Sequence, residues 1–315
     1  MTGMSTAGAP DITIRSSGLR RRRVIEKIFG GVAIFSALLA CAILAVVLGT
    51  VVYKGFSQLD LTFFTKPRPL FGEKGGIADA LVGSALIVGM AMLMAIPVAV
   101  LVAIYMSEYA RPRIALTLRI VLDVLNGVPA IVVGIFVFGL LVVGHGQSAI
   151  YGAFALAILM LPMVARATQE ILEVVPRSLR DASLALGVTK WRTTWNIILP
   201  AAIGGILTGV VIAVARVAGE TAPLLFTSSI AANAVSVNIH NALPTLPVAI
   251  FSFSESPDPG EQAAGWAAAL VLIAFVLLMN ILAKLFAGRK RRSLEGATTR
   301  PAPRVVQAPV APPAD

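Results

Sequence analysis

Six runs of apolar residues, each long enough to cross a hydrocarbon layer, decide what this chain can fold into. They cover about 29–52, 80–106, 120–143, 149–165, 201–226 and 264–286. A helix needs roughly 20 apolar residues (about 17 to 25) to cross a core about 30 Å thick. Peptide groups in lipid must find their partners within their own segment, which favours helices. The expected class is therefore an all-α membrane protein with about six transmembrane helices. Composition agrees: 57% of the residues are hydrophobic and 13% charged, against roughly 25% charged in a soluble domain. Pro97 and Pro129 fall inside two of the runs, and neighbouring helices can re-satisfy the carbonyls such prolines release.

The charges between the runs carry topology. Arg20 to Arg23 and Lys27 precede the first run, a pattern shared with signal peptides. That run exceeds a signal core of about 7–15 residues, so it is read as a retained span. Residues 1–28 are expected to form a disordered basic tail, 29–288 the transmembrane domain, and 289–315 a second solvated tail. The second tail opens on Arg289, Lys290, Arg291 and Arg292 and ends rich in Pro and Ala. With the N-terminus inside, the internal segments hold 21 Lys and Arg and the external ones four, and none occurs from 218 to 283. The positive-inside rule then puts both termini in the cytoplasm of a multi-pass cell-membrane protein, with residues 166–200 on the same side.

Several function classes are excluded. The net charge of +10 sits between apolar runs and in the tails, without the aromatic-interleaved basic stripe that reads nucleic acid. The lone Cys41 rules out an internal disulfide framework. His145 and His240 stand without a cysteine or carboxylate cluster, so no metal site is expected. No nucleophile–base pair or metal constellation lies in the runs, so no catalytic residue is assigned. The phosphate-cradling pattern G-x-x-x-x-G-K-[ST] is missing, so the chain is expected not to hydrolyse ATP itself.

Charges inside the runs are the functional candidates. Arg216 falls about sixteen residues into the fifth run, near mid-membrane, and Glu220 follows four residues later. An arginine there costs about 2.5–3.5 kcal/mol on insertion scales. The two can form an ion pair that only makes the helix insertable, or line a translocation path. A guanidinium fork suits an oxyanion such as phosphate or sulfate. Arg166 closes the fourth run, where an arginine normally reaches for headgroups. Asp123 and Arg119 are read as an i, i+4 interfacial pair. Gly204, Gly205, Gly209 and Gly219 permit close helix approach.

The 166–200 segment is amphipathic and charged. It reads as a short helix, a Gly turn, a second helix with Trp191 and Trp195, and a proline break into the fifth span. Asp181-Ala182-Ser183, then Gly187, then Ile197-Ile198-Leu199-Pro200 resembles the EAA loop of ABC importer permeases, with Asp for Glu and Ser for the second Ala. Ala215-Arg216-Val217-Ala218-Gly219-Glu220-Thr221-Ala222-Pro223-Leu224-Leu225-Phe226-Thr227 resembles the fifth-span motif of the A-type permeases of phosphate-specific (Pst) transport systems. Leu161 to Glu170, Leu125 to Gly134, Leu246 to Phe251 and Trp266 to Leu272 are similar to other parts of that family.

The resemblance implies the type I ABC importer permease (MetI-like) fold. It also implies a role as one transmembrane half of an ATP-driven phosphate importer. A C-type permease as heterodimer partner, two cytoplasmic ATPase subunits that bind the ATP, and an external phosphate-binding protein follow from it, with no cofactor in the chain itself. It implicates Arg166, Arg216, Glu220 and Thr221 in the substrate path, and Asp181, Ala182, Ser183, Gly187, Leu199 and Pro200 in coupling to the ATPase. The rival readings are the C-type phosphate subunit, a permease for another oxyanion such as sulfate, and a membrane scaffold.

Overall fold

A computed structural model describes residues 16–68, 75–229 and 235–298, and every regular element among them is helical. The chain divides into two compact units, Met1–Tyr53 and Lys54–Asp315. Helix α1 (Ser16–Phe56) supplies the first unit, and its part Arg21–Phe56 is long and apolar enough to cross a membrane. Residues 16–28, expected as part of an irregular tail, are thus helical. Once the apolar stretch has nucleated a helix, Glu, Lys and Arg extend it at little cost per residue. Residues 1–15 lie outside the described residues.

In the second unit the elements follow in order. They are α2 (Leu61–Thr65), α3 (Ala78–Ile104), a π-helical turn (Tyr105–Tyr109), α4 (Pro112–Gly127), α5 (Ala130–Val137), a π turn (Phe138–Val142) and α6 (Ala149–Val174). Then come α7 (Arg177–Ala185), α8 (Lys190–Thr193), a π turn (Thr194–Ile198), α9 (Leu199–Val217), α10 (Ala222–Thr227), α11 (Leu246–Glu255) and α12 (Pro259–Thr298). α12 runs through the basic cluster at 289–292, so the helix outlasts the expected end of the membrane domain. Among the described residues, five helical stretches can each cross a membrane, six if α4 and α5 with its π turn count as one.

The centre is built from small residues. Ala91, Ala95, Ala99 and Ala103 recur every fourth position of α3 and are buried, on the same face as Ile87. That face meets Ala149, Ala153, Leu156 and Met160 of α6 in one core cluster. Lipid tails are as apolar as leucine, so helices in a membrane associate through close packing, which small side chains permit. α9 packs against α6 further along the chain. A Cβ on Gly209 would lie 2.8 Å from the Ala167 methyl, and one on Gly205 2.7 Å from Ile171.

Two spans depart from expectation. The third run is not a straight span: α4 and α5 meet at 91°. Pro129 has no N–H and its ring forces Val128 extended (ψ 126°), so the helix stops and restarts in a new direction. The fifth span reverses the error. No break occurs at Pro200, because the π turn at 194–198 widens the helix before the ring, and Lys190–Val217 is one continuous stretch. It then ends at Val217, well short of 226. Residues 218–221 leave the helix around Gly219, and Pro223 restarts it as α10.

Candidate functional site

The close approach of α6 and α9 at Ala167 and Gly209 sets the level of a charged cavity. Its volume is about 490 Å³, and Asn126, Arg166, Glu170, Arg216 and Glu220 are among its lining residues. Arg166, Arg216 and Glu220, assigned to the path from sequence, therefore share one space. Thr221 does not line it; its carbonyl accepts the Leu224 and Leu225 N–H groups at the start of α10.

The pairing of these charges differs from the sequence expectation. Arg216 and Glu220 do not lie along one helical face, because α9 stops between them. The Glu220 N–H closes the helix end on the Val217 carbonyl. Arg216 occupies the last turn, where the helix dipole favours a cation. Its guanidinium makes no ion pair or hydrogen bond among the described residues. Arg166 is held instead. Its Nε lies 3.2 Å from Asp123 Oδ1 of α4 and 3.8 Å from Glu170 Oε1, and its Nη1 donates to Gln169 Oε1 at 3.2 Å. The expected Arg119–Asp123 pair is absent, since Arg119 reaches across to Glu173 of α6 at 2.6 Å. Both carboxylates thus bridge α4 to α6. An i, i+4 spacing permits a pair on one helix, but a facing helix offers a partner without bending the side chain along its own axis.

The turn between α7 and α8 is built by its glycine. Gly187 has φ +73°, the Val188 N–H bonds the Ser183 carbonyl, and the Gly187 N–H bonds the Leu184 carbonyl. This is the paired-bond helix stop that a left-handed residue makes possible. Asp181 and Ala182 are exposed, whereas Ser183 is buried against Thr193, hydroxyl to hydroxyl at 2.7 Å. Leu186 and Trp191 stand out on the same segment, 83% and 61% exposed. Leu199 and Pro200 belong to the start of α9, so the structure does not group them with Asp181 on one surface element.

Two residues escaped the sequence reading. Glu108, in the π turn after α3, has a side chain only 5% exposed. Arg180 of α7 binds it with Nη2 at 2.6 Å and Nε at 3.2 Å, and also donates to the Leu172 and Val175 carbonyls at 2.9 and 2.7 Å. One guanidinium therefore caps the end of α6 and ties α7 to the end of α3. The signal was faint: an acid just beyond an apolar run looks like an ordinary membrane boundary. Beside this clamp opens a second cavity of about 700 Å³, lined among others by Arg119, Gln169, Glu173, Arg177 and Lys190.

Residues 95–292, which hold both cavities and the segment between them, match the family described as "Binding-protein-dependent transport system inner membrane component". The chain belongs to this family. Within it, a relative from Haemophilus influenzae named "Phosphate transport system permease protein PstA" is 40% identical over 86% of this chain and 96% of its own length. A relative from Mycobacterium tuberculosis, "Phosphate transport system permease protein PstA 1", is 40% identical over 70% of this chain and 73% of its own. Among solved structures, a bacterial ABC transporter for the acidic polysaccharide alginate superposes with TM-score 0.57 at 13% identity, over 85% of this chain and 99% of that one. The MetNI methionine ABC transporter gives 0.53 at 16%, over 68% and 94%. At such identities the likeness concerns the fold alone: this family member has the MetI-type permease fold.

Proposed function

We propose that the chain is the transmembrane permease subunit of an ATP-driven inorganic phosphate importer and forms half of its translocation path. The observation that carries this is the meeting of Arg166, Arg216, Glu170 and Glu220 in one cavity, in a chain whose relatives bear the name of phosphate transport permeases. The fork of Arg216, unpaired among the described residues, can grip two oxygens of a tetrahedral oxyanion through charge-assisted bonds. A carboxylate in the same space accepts a hydrogen bond from a P–OH group, which phosphate carries at neutral pH and sulfate does not. Few charges suit a carrier, since binding must be weak enough to release.

The partners follow from the same reading: a C-type permease completing the path, two cytoplasmic ATPase subunits that bind the ATP, and an external phosphate-binding protein. Both termini and the 177–193 segment face the cytoplasm by the distribution of basic residues. Exposed Asp181 and Ala182, flanked by Leu186 and Trp191, offer a short helix that can lie in a groove of the ATPase. Movement of the ATPase pair, passed on through α7 and α8, would then switch the cavity between the two sides of the membrane.

Phosphate uptake by vesicles holding the complete importer tests this. Arg216→Ala is expected to cut uptake more than about tenfold, with normal membrane insertion and assembly, while sulfate stays a poor substrate throughout. Full uptake by the variant, or equal transport of sulfate by the parent, would refute the assignment.

A further inference from the structure

One buried amide bonds to a residue of each cavity. Gln169 lies on α6, one helical turn from Arg166 and one from Glu173, and is 2% exposed. Its Oε1 accepts from Arg166 Nη1 at 3.2 Å, and its Nε2 donates to Glu173 Oε1 at 2.8 Å. The same Glu173 oxygen accepts from Arg119 Nη2 at 2.6 Å. The amide cannot be turned round, because a guanidinium only donates and a carboxylate only accepts. Among the twenty side chains, few can meet both neighbours. A glutamate would face Glu173 as a like charge, and a leucine would leave both neighbours short of a partner.

The chain Arg166–Gln169–Glu173–Arg119 therefore runs without interruption from the first cavity to the second. Arg166 and Glu170 line the first, and Gln169, Glu173 and Arg119 line the second, beside the Arg180 clamp. Arg166 has three possible holds on its guanidinium, namely Asp123, Glu170 and Gln169. Gln169 is the one of these that itself lines the far cavity, so it offers a direct hydrogen-bonded route from there to Arg166.

We propose that Gln169 is a positioning residue that links the Arg166 guanidinium to the Glu173–Arg119 pair, and so ties the hold on the oxyanion to the state of the segment that meets the ATPase. This rests on the reading of the first cavity as the phosphate path. When α7 and α8 move, Glu173 and Arg119 shift with the wall of the second cavity. The amide follows its carboxylate, and the guanidinium turns towards or away from the transported anion. The structural counterpart, a residue that merely stiffens α6, would leave the ratio of ATP hydrolysed to phosphate moved unchanged.

The test uses the complete importer in proteoliposomes with its binding protein, following phosphate uptake and ATP hydrolysis together. Gln169→Glu is expected to lower uptake about tenfold or more, as loss of a buried hydrogen bond to a charged group would, and to raise ATP used per phosphate at least about twofold. The exchanged pair Gln169→Glu with Glu173→Gln restores one donor facing one acceptor. It is expected to return uptake to within about threefold of the parent, as coupled neighbours do. Gln169→Leu should behave like the single glutamate variant. Unchanged coupling in Gln169→Leu, or no recovery in an exchanged pair that assembles normally, overturns the proposal. Arg166→Ala separates the two levels. If it abolishes uptake while Gln169→Leu has no effect, only this linkage fails; if it transports normally, the reading of the cavity fails with it.

Discussion

Gly187 shows how much a single backbone conformation decides. At φ +73° an L side chain is disfavoured by about 1–2 kcal/mol, although nothing stands within 4 Å of where its Cβ would be. The cost of Gly187→Ala is thus conformational and free of steric clash. It is expected to weaken the helix stop after α7 by about 1 kcal/mol, read as faster amide exchange over residues 183–190 in the intact complex, with the membrane core unchanged. Unaltered exchange there would mean that the turn is held by its surroundings. The glycine, like Arg166, Arg216 and Glu220, was legible in the sequence, because each is a residue type out of place in its stretch. Their partners were not legible. Asp123 finds Arg166 and Arg119 finds Glu173 across a helix interface, and no spacing within one strand of sequence encodes that choice.

Among the elements, α7 shows how two side chains anchor a short helix. Arg180 fixes it to Glu108 and to the end of α6, and Ser183 fixes it to Thr193 of α8. Breaking a well-buried pair by removing one partner costs about 3 kcal/mol or more. Glu108→Gln is therefore expected to raise amide exchange across Arg177–Ala185 by about a hundredfold in the assembled importer, and to leave the α3–α6 core protected. Exchange at the parental rate would show that the carbonyl bonds of Arg180 suffice. Hydropathy found these elements and misjudged their ends. It read 201–226 as one span because Ala222 to Phe226 are as apolar as what precedes them, whereas the chain leaves the helix at Gly219. It expected a stop at Pro200, which a π turn absorbs.

At the scale of the whole molecule, the 91° bend in the third span has a consequence for solvent. Stopping α4 at Gly127 and restarting at Ala130 leaves carbonyls and N–H groups at the corner without helical partners. Lipid cannot satisfy them, and non-helical backbone at membrane depth is tolerated only against protein or a wet cavity. The corner residues Asn126, Val128, Pro129 and Ala130 all line the space that holds Arg166 and Arg216. Peptide groups and guanidinium together are therefore expected to keep that space hydrated before any anion arrives. A cysteine at Ala130, in a chain whose single natural cysteine (Cys41) has been replaced, is expected to react readily with a charged, membrane-impermeant thiol reagent and to be protected by phosphate. A silent cysteine would mean a dry corner. If it reacts, an entering phosphate trades one set of hydrogen-bonding neighbours for another and is never stripped bare, and the break in the helix is what makes that exchange possible.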